Sequence, residues 1–201
     1  MIAVTFEHDY SDYSKLWRDY YSRFMDIKVV KIGDMLRSDW GATTKLLNST
    51  QEELFKDHDL ILYADVDEIL IPNPDKYKDL GEYLKTVKGV VRCTGYNVME
   101  MESDAQLDTA KPILSQRKYW SRDDLYDKFV IITTPQVYLN NHHIQNEVPS
   151  DSDLIMFHLR DSDIKGAKDR NKKLGVNYDQ QALEERRRRA VLIPNVYLNL
   201  V

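Results

Sequence analysis

Three carboxylates fall within four positions in Leu62-Tyr63-Ala64-Asp65-Val66-Asp67-Glu68-Ile69-Leu70. Like charges this close repel and raise one another's pKa unless a cation or hydrogen-bond donors compensate. A divalent cation is the simple compensation. Carboxylate oxygens suit Mg2+ or Mn2+, which keep several waters and bind through one or two carboxylates plus the phosphates of a substrate. If the chain stays extended, alternation puts Asp65 and Asp67 on the same side. A solvated acidic turn with one capping aspartate is the competing reading, and a bare Asp-x-Asp is common. The setting argues for more. Leu60-Ile61-Leu62-Tyr63-Ala64 is nearly continuous apolar sequence, as in a strand buried on both faces of a parallel sheet. In open α/β sheets the carboxyl ends of strands form the ligand crevice.

The elements that must position this segment alternate. Ile2 to Phe6 predicts a first strand. A helix over 11–24 follows, with Leu16, Trp17, Tyr20, Tyr21 and Phe24 on one face. Ile27 to Ile32 is a second strand. Thr43 to His58 is a helix broken or recapped near Asn48-Ser49-Thr50. After the third strand, Ile69 to Pro72 continues extended, Asp75 to Val87 reads as a helix, and Gly89 to Met101 as a strand. This rhythm implies an α/β chain with a parallel or mixed sheet and helices on both faces. Beyond Met101 the pattern is less regular. Ser103 to Lys111 is a loop. Lys128 to Ile132, Gln136 to Leu139 and Asp153 to Leu159 are short strands, and Ser162 to Leu174 and Asp179 to Ala190 are helical. No linker marks a boundary, so a single domain spans 1–201, with a nucleotide-binding-like half over 1–101 and a more irregular half over 102–201.

Composition narrows the function. Lys and Arg total 28 against 33 Asp and Glu, a net charge of −5, which lacks the basic footprint of a nucleic-acid binder. One cysteine, Cys93, excludes an internal disulfide framework and a cysteine-cage zinc site. Its place in Val91-Arg92-Cys93-Thr94 reads as a buried small hydrophobe. No apolar run approaches the ~20 residues of a membrane span, which points to a cytoplasmic protein. The block Glu184-Glu185-Arg186-Arg187-Arg188-Arg189 is a solvated helix face or a contact for anionic lipid headgroups. Val191 to Val201 needs burial against the sheet or a partner subunit, which leaves room for a homodimer.

Tyr63-Ala64-Asp65-Val66-Asp67-Glu68-Ile69-Leu70 resembles the Asp-x-Asp segment of GT-A-fold glycosyltransferases, in the family-2-like variant with Asp-Val-Asp-Glu. Thr5-Phe6-Glu7-His8-Asp9-Tyr10 resembles their opening segment, although many relatives carry Asn-Glu where this chain has Glu-His. Lys111-Pro112-Ile113-Leu114-Ser115, Tyr119-Trp120-Ser121-Arg122 and Tyr126-Asp127-Lys128 resemble the middle block, and Met156-Phe157-His158-Leu159-Arg160-Asp161 the late one. The likeness runs from residue 2 to about residue 172. It implies a GT-A-like, Rossmann-like, mostly parallel mixed sheet. It also implies a Mn2+- or Mg2+-dependent transfer from a nucleoside-diphosphate sugar, with a UDP-sugar favoured, to a hydroxyl acceptor on a glycan, lipid or protein. Asp65 then approaches ribose or metal, Asp67 holds the metal, and the metal acts as a Lewis acid on the leaving diphosphate.

The resemblance adds His158 to the metal shell; read alone, a histidine between Phe157 and Leu159 is more often a hydrogen-bonded core residue than a ligand. Arg160 and Lys128 would stabilise phosphate charge or contact substrate. Glu7, Asp9, Asp34 and Lys45 fall near the ends of the first two strands and the helix that follows. There they serve nucleobase, ribose or nucleotide, or act as caps and surface charges. An inverting transfer needs a base for the acceptor hydroxyl; Asp161 is the first choice, with Glu100, Asp163 and Asp123-Asp124 behind it, and a retaining route stays open. His142-His143 reads as an acceptor contact or a loop pair, not a zinc site. Two other function classes share the carboxylates: a metal-dependent phosphohydrolase or nucleotidyltransferase, and a non-catalytic nucleotide-sugar-binding module. A haloacid-dehalogenase-type enzyme would carry its Asp-x-Asp after the first strand, not the third.

Overall fold

A computed structural model describes residues 1–7, 13–32, 40–108, 111–140, 142–173 and 177–198. Within these residues a nine-stranded sheet is flanked by helices. Strand β1 (Ile2–Glu7) lies between β2 (Asp26–Lys31) and β3 (Ile61–Tyr63), parallel to both. β3 pairs antiparallel with β7 (Phe129–Ile132), and β7 antiparallel with the long β5 (Val90–Met99). The second half of β5 is flanked by β6 (Tyr119–Arg122), antiparallel, and β8 (Ser150–His158), parallel. β4 (Glu68–Pro72) runs antiparallel on β8, and the short β9 (Val191–Leu192) on β6. Among the described residues three pairings are parallel and five antiparallel. The expected mostly parallel sheet is therefore corrected to a mixed one. The first half pairs in parallel through its helical crossovers, whereas β6 and β7 return alongside β5 without one.

Alternation along the strands explains the two covered faces. Ala3 and Leu62 point to one side with Trp17, Tyr20 and Tyr21 of helix α1 (Ser14–Tyr21). Ile2, Val4, Ile61 and Tyr63 point to the other, with Leu47 and Leu54 of helix α2 (Trp40–Leu54). Residues of period two therefore feed two cores, each closed by an amphipathic helix. Short helices α3 (Leu80–Leu84) and α4 (Ile113–Gln116), then α5 (Ile164–Lys173) and α6 (Gln180–Arg189), complete the described set.

Three of the differences from expectation have a local cause. α2 is unbroken: Ser49 does not recap it but donates its hydroxyl to the Leu46 carbonyl at 3.1 Å, and Asn48 turns sideways. Asn48 Nδ2 donates to the Tyr138 carbonyl at 3.3 Å and its Oδ1 accepts from the Tyr138 amide at 3.0 Å. Gln51 grips Gln136 in the same way, donating to its carbonyl at 2.5 Å and accepting from its amide at 2.8 Å. These side chains take the backbone groups that a strand over 136–139 would use, so that segment keeps only a bridge between Tyr138 and Ile144. The helix expected from Asp75 starts late. Asn73 Oδ1 accepts from the Asp75 amide at 3.0 Å and forms a local turn, and Asp79 then caps α3 by accepting from the Glu82 amide at 2.9 Å.

Candidate functional site

The acidic segment leaves β3 and enters β4, so it must pass over the carboxyl end of β8. It does so as a turn. The Glu68 amide donates to the Asp65 carbonyl at 2.9 Å, and Glu68 Oε2 accepts from the Asp65 amide at 2.8 Å. The Leu159 amide donates to the Asp67 carbonyl at 2.7 Å and ties the turn to the end of β8. From the far side α1 holds β4. Tyr20 Oη donates to the Leu70 carbonyl at 2.7 Å, and Tyr21 Oη takes the Leu70 amide at 3.0 Å and donates to the Glu68 carbonyl at 3.2 Å. Among the described residues β4 pairs with β8 alone, and these hydroxyls bond to backbone groups on its other edge. The turn corrects the expectation that Asp65 and Asp67 share a side. An extended chain would align them; a closed turn sends them to different partners.

On one side stands Lys128, in the residue just before β7. Its Nζ lies 2.9 Å from Asp65 Oδ2 and 2.7 Å from Glu68 Oε1. The Lys128 and Glu68 side chains are 5% and 1% exposed, while that of Asp65 is 47% exposed. Burial works against ionisation of Asp65, but the charge and hydrogen bond of Lys128 outweigh it and hold the carboxyl below its ordinary value. Glu68 is pushed the other way: burial, with Asp65 and Asp67 adding to it, raises its carboxyl to about 8 against the pull of Lys128.

On the other side Asp67 Oδ2 lies 3.6 Å from His158 Nε2. The imidazole's proton can be located from its partners. Asp123 Oδ2 only accepts, so it takes the Asn97 amide nitrogen, at 2.9 Å. That turns Asn97 Oδ1 toward His158 Nδ1, at 2.7 Å, and Nδ1 must carry the hydrogen. Burial lowers the imidazole's pKa, with Asp67 and Asp161 opposing, so the ring is neutral near pH 7 and Nε2 bears a lone pair. A carboxylate oxygen and an unprotonated ring nitrogen therefore face each other. A histidine whose other nitrogen donates to a fixed acceptor is the usual arrangement of a metal ligand. The Tyr126 ring stacks on His158 with centroids 4.0 Å apart. Tyr126 reaches that place because residue 95 is glycine: a Cβ there would meet Tyr126 Cβ at 2.5 Å and its carbonyl oxygen at 2.6 Å.

Among the described residues no group of three or more His, Cys, Asp or Glu side chains gathers at metal-holding geometry. Asp67 and His158 come together, whereas Asp65 is drawn to Lys128. Two protein ligands still match a Mg2+ or Mn2+ that takes its remaining oxygens from waters and phosphates. Arg160 follows two residues after His158 and donates to Asn171 Oδ1 at 3.3 Å. Asp161, the expected base, is corrected by its surroundings. It is 1% exposed, its Oδ1 accepts from Tyr178 Oη at 2.9 Å, and its Oδ2 accepts from Arg186 Nε at 2.7 Å. An acceptor hydroxyl could reach it only by displacing those partners, so Asp161 anchors α6 instead. Glu7 is also corrected as a free nucleotide contact: it is buried, with Arg18 at 3.2 Å and Lys31 at 2.9 Å. Lys45 is exposed on α2. Asp9 and Asp34 lie outside the described residues.

Sequence reasoning missed Asn97 and Gly95, and it named Asp123 only as a candidate base and Tyr126 only within the middle block of the resemblance. Two signals were there: a polar residue between Tyr96 and Val98 within an apolar strand, and a glycine inside that strand, which marks close approach of another chain segment. It also placed His142 only loosely. Its Nδ1 donates to the Leu125 carbonyl at 2.8 Å, leaving Nε2 unprotonated, and burial, with Lys128 adding to it, lowers its pKa. Half of the arginine block is inward: Arg186 on Asp161, and Arg187 on the Glu100 carbonyl at 2.9 Å. Among the described residues no helix is long and apolar enough to cross a membrane. A comparison with models of known protein families gives no match, and a comparison with curated proteins gives none either.

Proposed function

We propose that this chain is a metal-dependent glycosyltransferase of GT-A type that moves a sugar from a nucleoside-diphosphate sugar to a hydroxyl acceptor. One observation carries the reading: Asp67 Oδ2 and His158 Nε2, both acceptors, face each other at 3.6 Å where β8 ends and β4 begins. Asp67 and His158 would hold Mn2+ or Mg2+. The bound ion supplies Lewis-acid stabilisation of the departing diphosphate. Asp65 keeps an oxygen not engaged by Lys128 and, being half exposed, is suited to a ribose hydroxyl. Arg160 brings a permanent positive charge beside His158 for the diphosphate. For the base, His142 takes the place of Asp161: its tautomer is fixed by Leu125 and its free Nε2 can accept a hydroxyl proton. A UDP-sugar remains the favoured donor, on the strength of the sequence resemblance.

The test is a thermal-shift and donor-turnover series with UDP-, GDP-, CMP- and dTDP-sugars, with and without Mn2+. Binding to the native state raises its melting temperature. The expected result is one donor class that stabilises the chain only with Mn2+ and is consumed. Asp67→Asn should lose that consumption with an unchanged circular dichroism spectrum. If no nucleotide sugar stabilises the chain, the reading fails; if Asp67→Asn turns over donor at the wild-type rate, the metal drops out of it.

A further inference from the structure

The proposed reaction gives roles to Asp65, Asp67 and His158 and leaves a buried ammonium beside Asp65 unexplained. Lysine is almost never fully buried unless paired. Lys128 is buried, and both its carboxylate partners belong to the acidic turn: Asp65 at 2.9 Å and Glu68 at 2.7 Å. Its position is imposed by the sheet, since its carbonyl accepts from the Cys93 amide at 3.0 Å and the next residue begins β7. Glu68 in turn closes the turn by accepting from the Asp65 amide at 2.8 Å. The ammonium therefore holds the residue that holds the turn.

We propose that Lys128 is a built-in counter-cation: it preforms the Asp65–Glu68 end of the turn without metal and confines a divalent ion to the Asp67–His158 end. The second half of this statement rests on the proposed metal-dependent function; the first does not. The physical ground is charge. An ion on Asp65 Oδ2 would stand beside the buried lysine ammonium, 2.9 Å from that oxygen, and like charges this close repel. Among the described residues Asp67 has no lysine or arginine at hydrogen-bond distance, and it has the His158 imidazole nitrogen opposite at 3.6 Å. Lys128 is thus a positioning residue for the cation site, and its identity sets where an ion binds.

The experiment uses the purified chain without nucleotide sugar. Mn2+ uptake is followed by the electron paramagnetic resonance of the free ion, and melting temperature is measured in chelator and in Mn2+. Asp65→Asn should bind Mn2+ within about twofold of wild type, a change the size of an ordinary surface substitution, while Asp67→Asn and His158→Ala lose it. Lys128→Met should melt lower in chelator and recover most of the loss in Mn2+, because the freed carboxylates now take the ion. Lys128→Arg should restore the wild-type pattern. The proposal is overturned if wild type takes up no Mn2+, if Asp65→Asn loses uptake as Asp67→Asn does, or if Lys128→Met gains no more from Mn2+ than wild type. Should Lys128→Met not fold in chelator, refolding from urea only when Mn2+ is present supports the proposal, and failure in both conditions overturns it. None of these readouts involves sugar transfer. An inactive chain with this metal pattern would sink the transferase reading and leave the role of Lys128 standing.

Discussion

The two ends of the acidic turn solve the same electrostatic problem in opposite ways. At the Asp65–Glu68 end the repulsion is quenched inside the molecule by Lys128, and every partner comes from the chain itself. At the Asp67–His158 end two acceptors face each other, and Asn97, Asp123 and Tyr126 fix the direction of the imidazole without neutralising Asp67. The first arrangement stabilises the fold. The second leaves an interaction unmade, which natural proteins do where something else is to bind. Acidic residues two positions apart can therefore have unrelated roles, decided by which strand ends lie beneath them.

The largest expected effect separates the two ends by stability. Lys128→Met removes one partner of a buried pair and strands Glu68, which costs about 3–5 kcal/mol. Asp67→Asn removes charge from the end that is not internally paired and should change stability by no more than about 0.5 kcal/mol. Urea denaturation of both variants in chelator measures the contrast, and equal losses would erase the distinction between the ends.

The next effects concern the support of His158. Gly95→Ala places a Cβ against the Cβ and backbone of Tyr126. Overpacking of this kind costs about 1–3 kcal/mol and should push the tyrosine ring off His158. A change in the ring-current shift of the His158 protons would report it, and an unshifted resonance would mean that Tyr126 is not seated by Gly95. Asn97→Ala leaves the His158 Nδ1 hydrogen and an Asp123 oxygen without their partner, at about 1–3 kcal/mol. Removing such an outer partner also weakens metal binding by about 10–100-fold. Full Mn2+ affinity in Asn97→Ala would show that the tautomer is not set by this chain of bonds.

The sequence was most informative where a single period controlled a whole element. Ile2, Ala3 and Val4 alternate between two cores, and Trp17, Tyr20 and Tyr21 form one helix face, so β1 and α1 were readable from their own residues. The acidic segment was readable as a site because an apolar strand runs straight into it. What stayed hidden was set by distant partners. Nothing local tells that Lys128, 63 residues after Asp65, returns beside it through the antiparallel pairing of β3 and β7. Nor does anything local tell that Asn48 spends its amide on Tyr138, 90 residues away, instead of recapping α2. The base assignment to Asp161 failed for the same reason: α6 brings Arg186 back to it from 25 residues on.

The last effect tests the internally balanced end by pH. Glu68 experiences two opposed influences: both oxygens accept hydrogen bonds, from Lys128 and the Asp65 amide, while burial beside two aspartates raises its carboxyl to about 8. With a folded pKa above the unfolded one, the native chain binds more protons at this group between the two values. Its contribution is complete below the ordinary glutamate range and is lost as pH rises toward 8. Stability attributable to Glu68 should therefore fall from pH 5 to pH 8, and Glu68→Gln should lack that part of the slope. Urea midpoints of the two proteins across that range give the difference. Converging curves as pH rises confirm that burial dominates. Parallel curves would mean that Lys128 keeps Glu68 ionised throughout, which would make the pair with the lysine, and not a shared proton, the source of balance at this end of the turn.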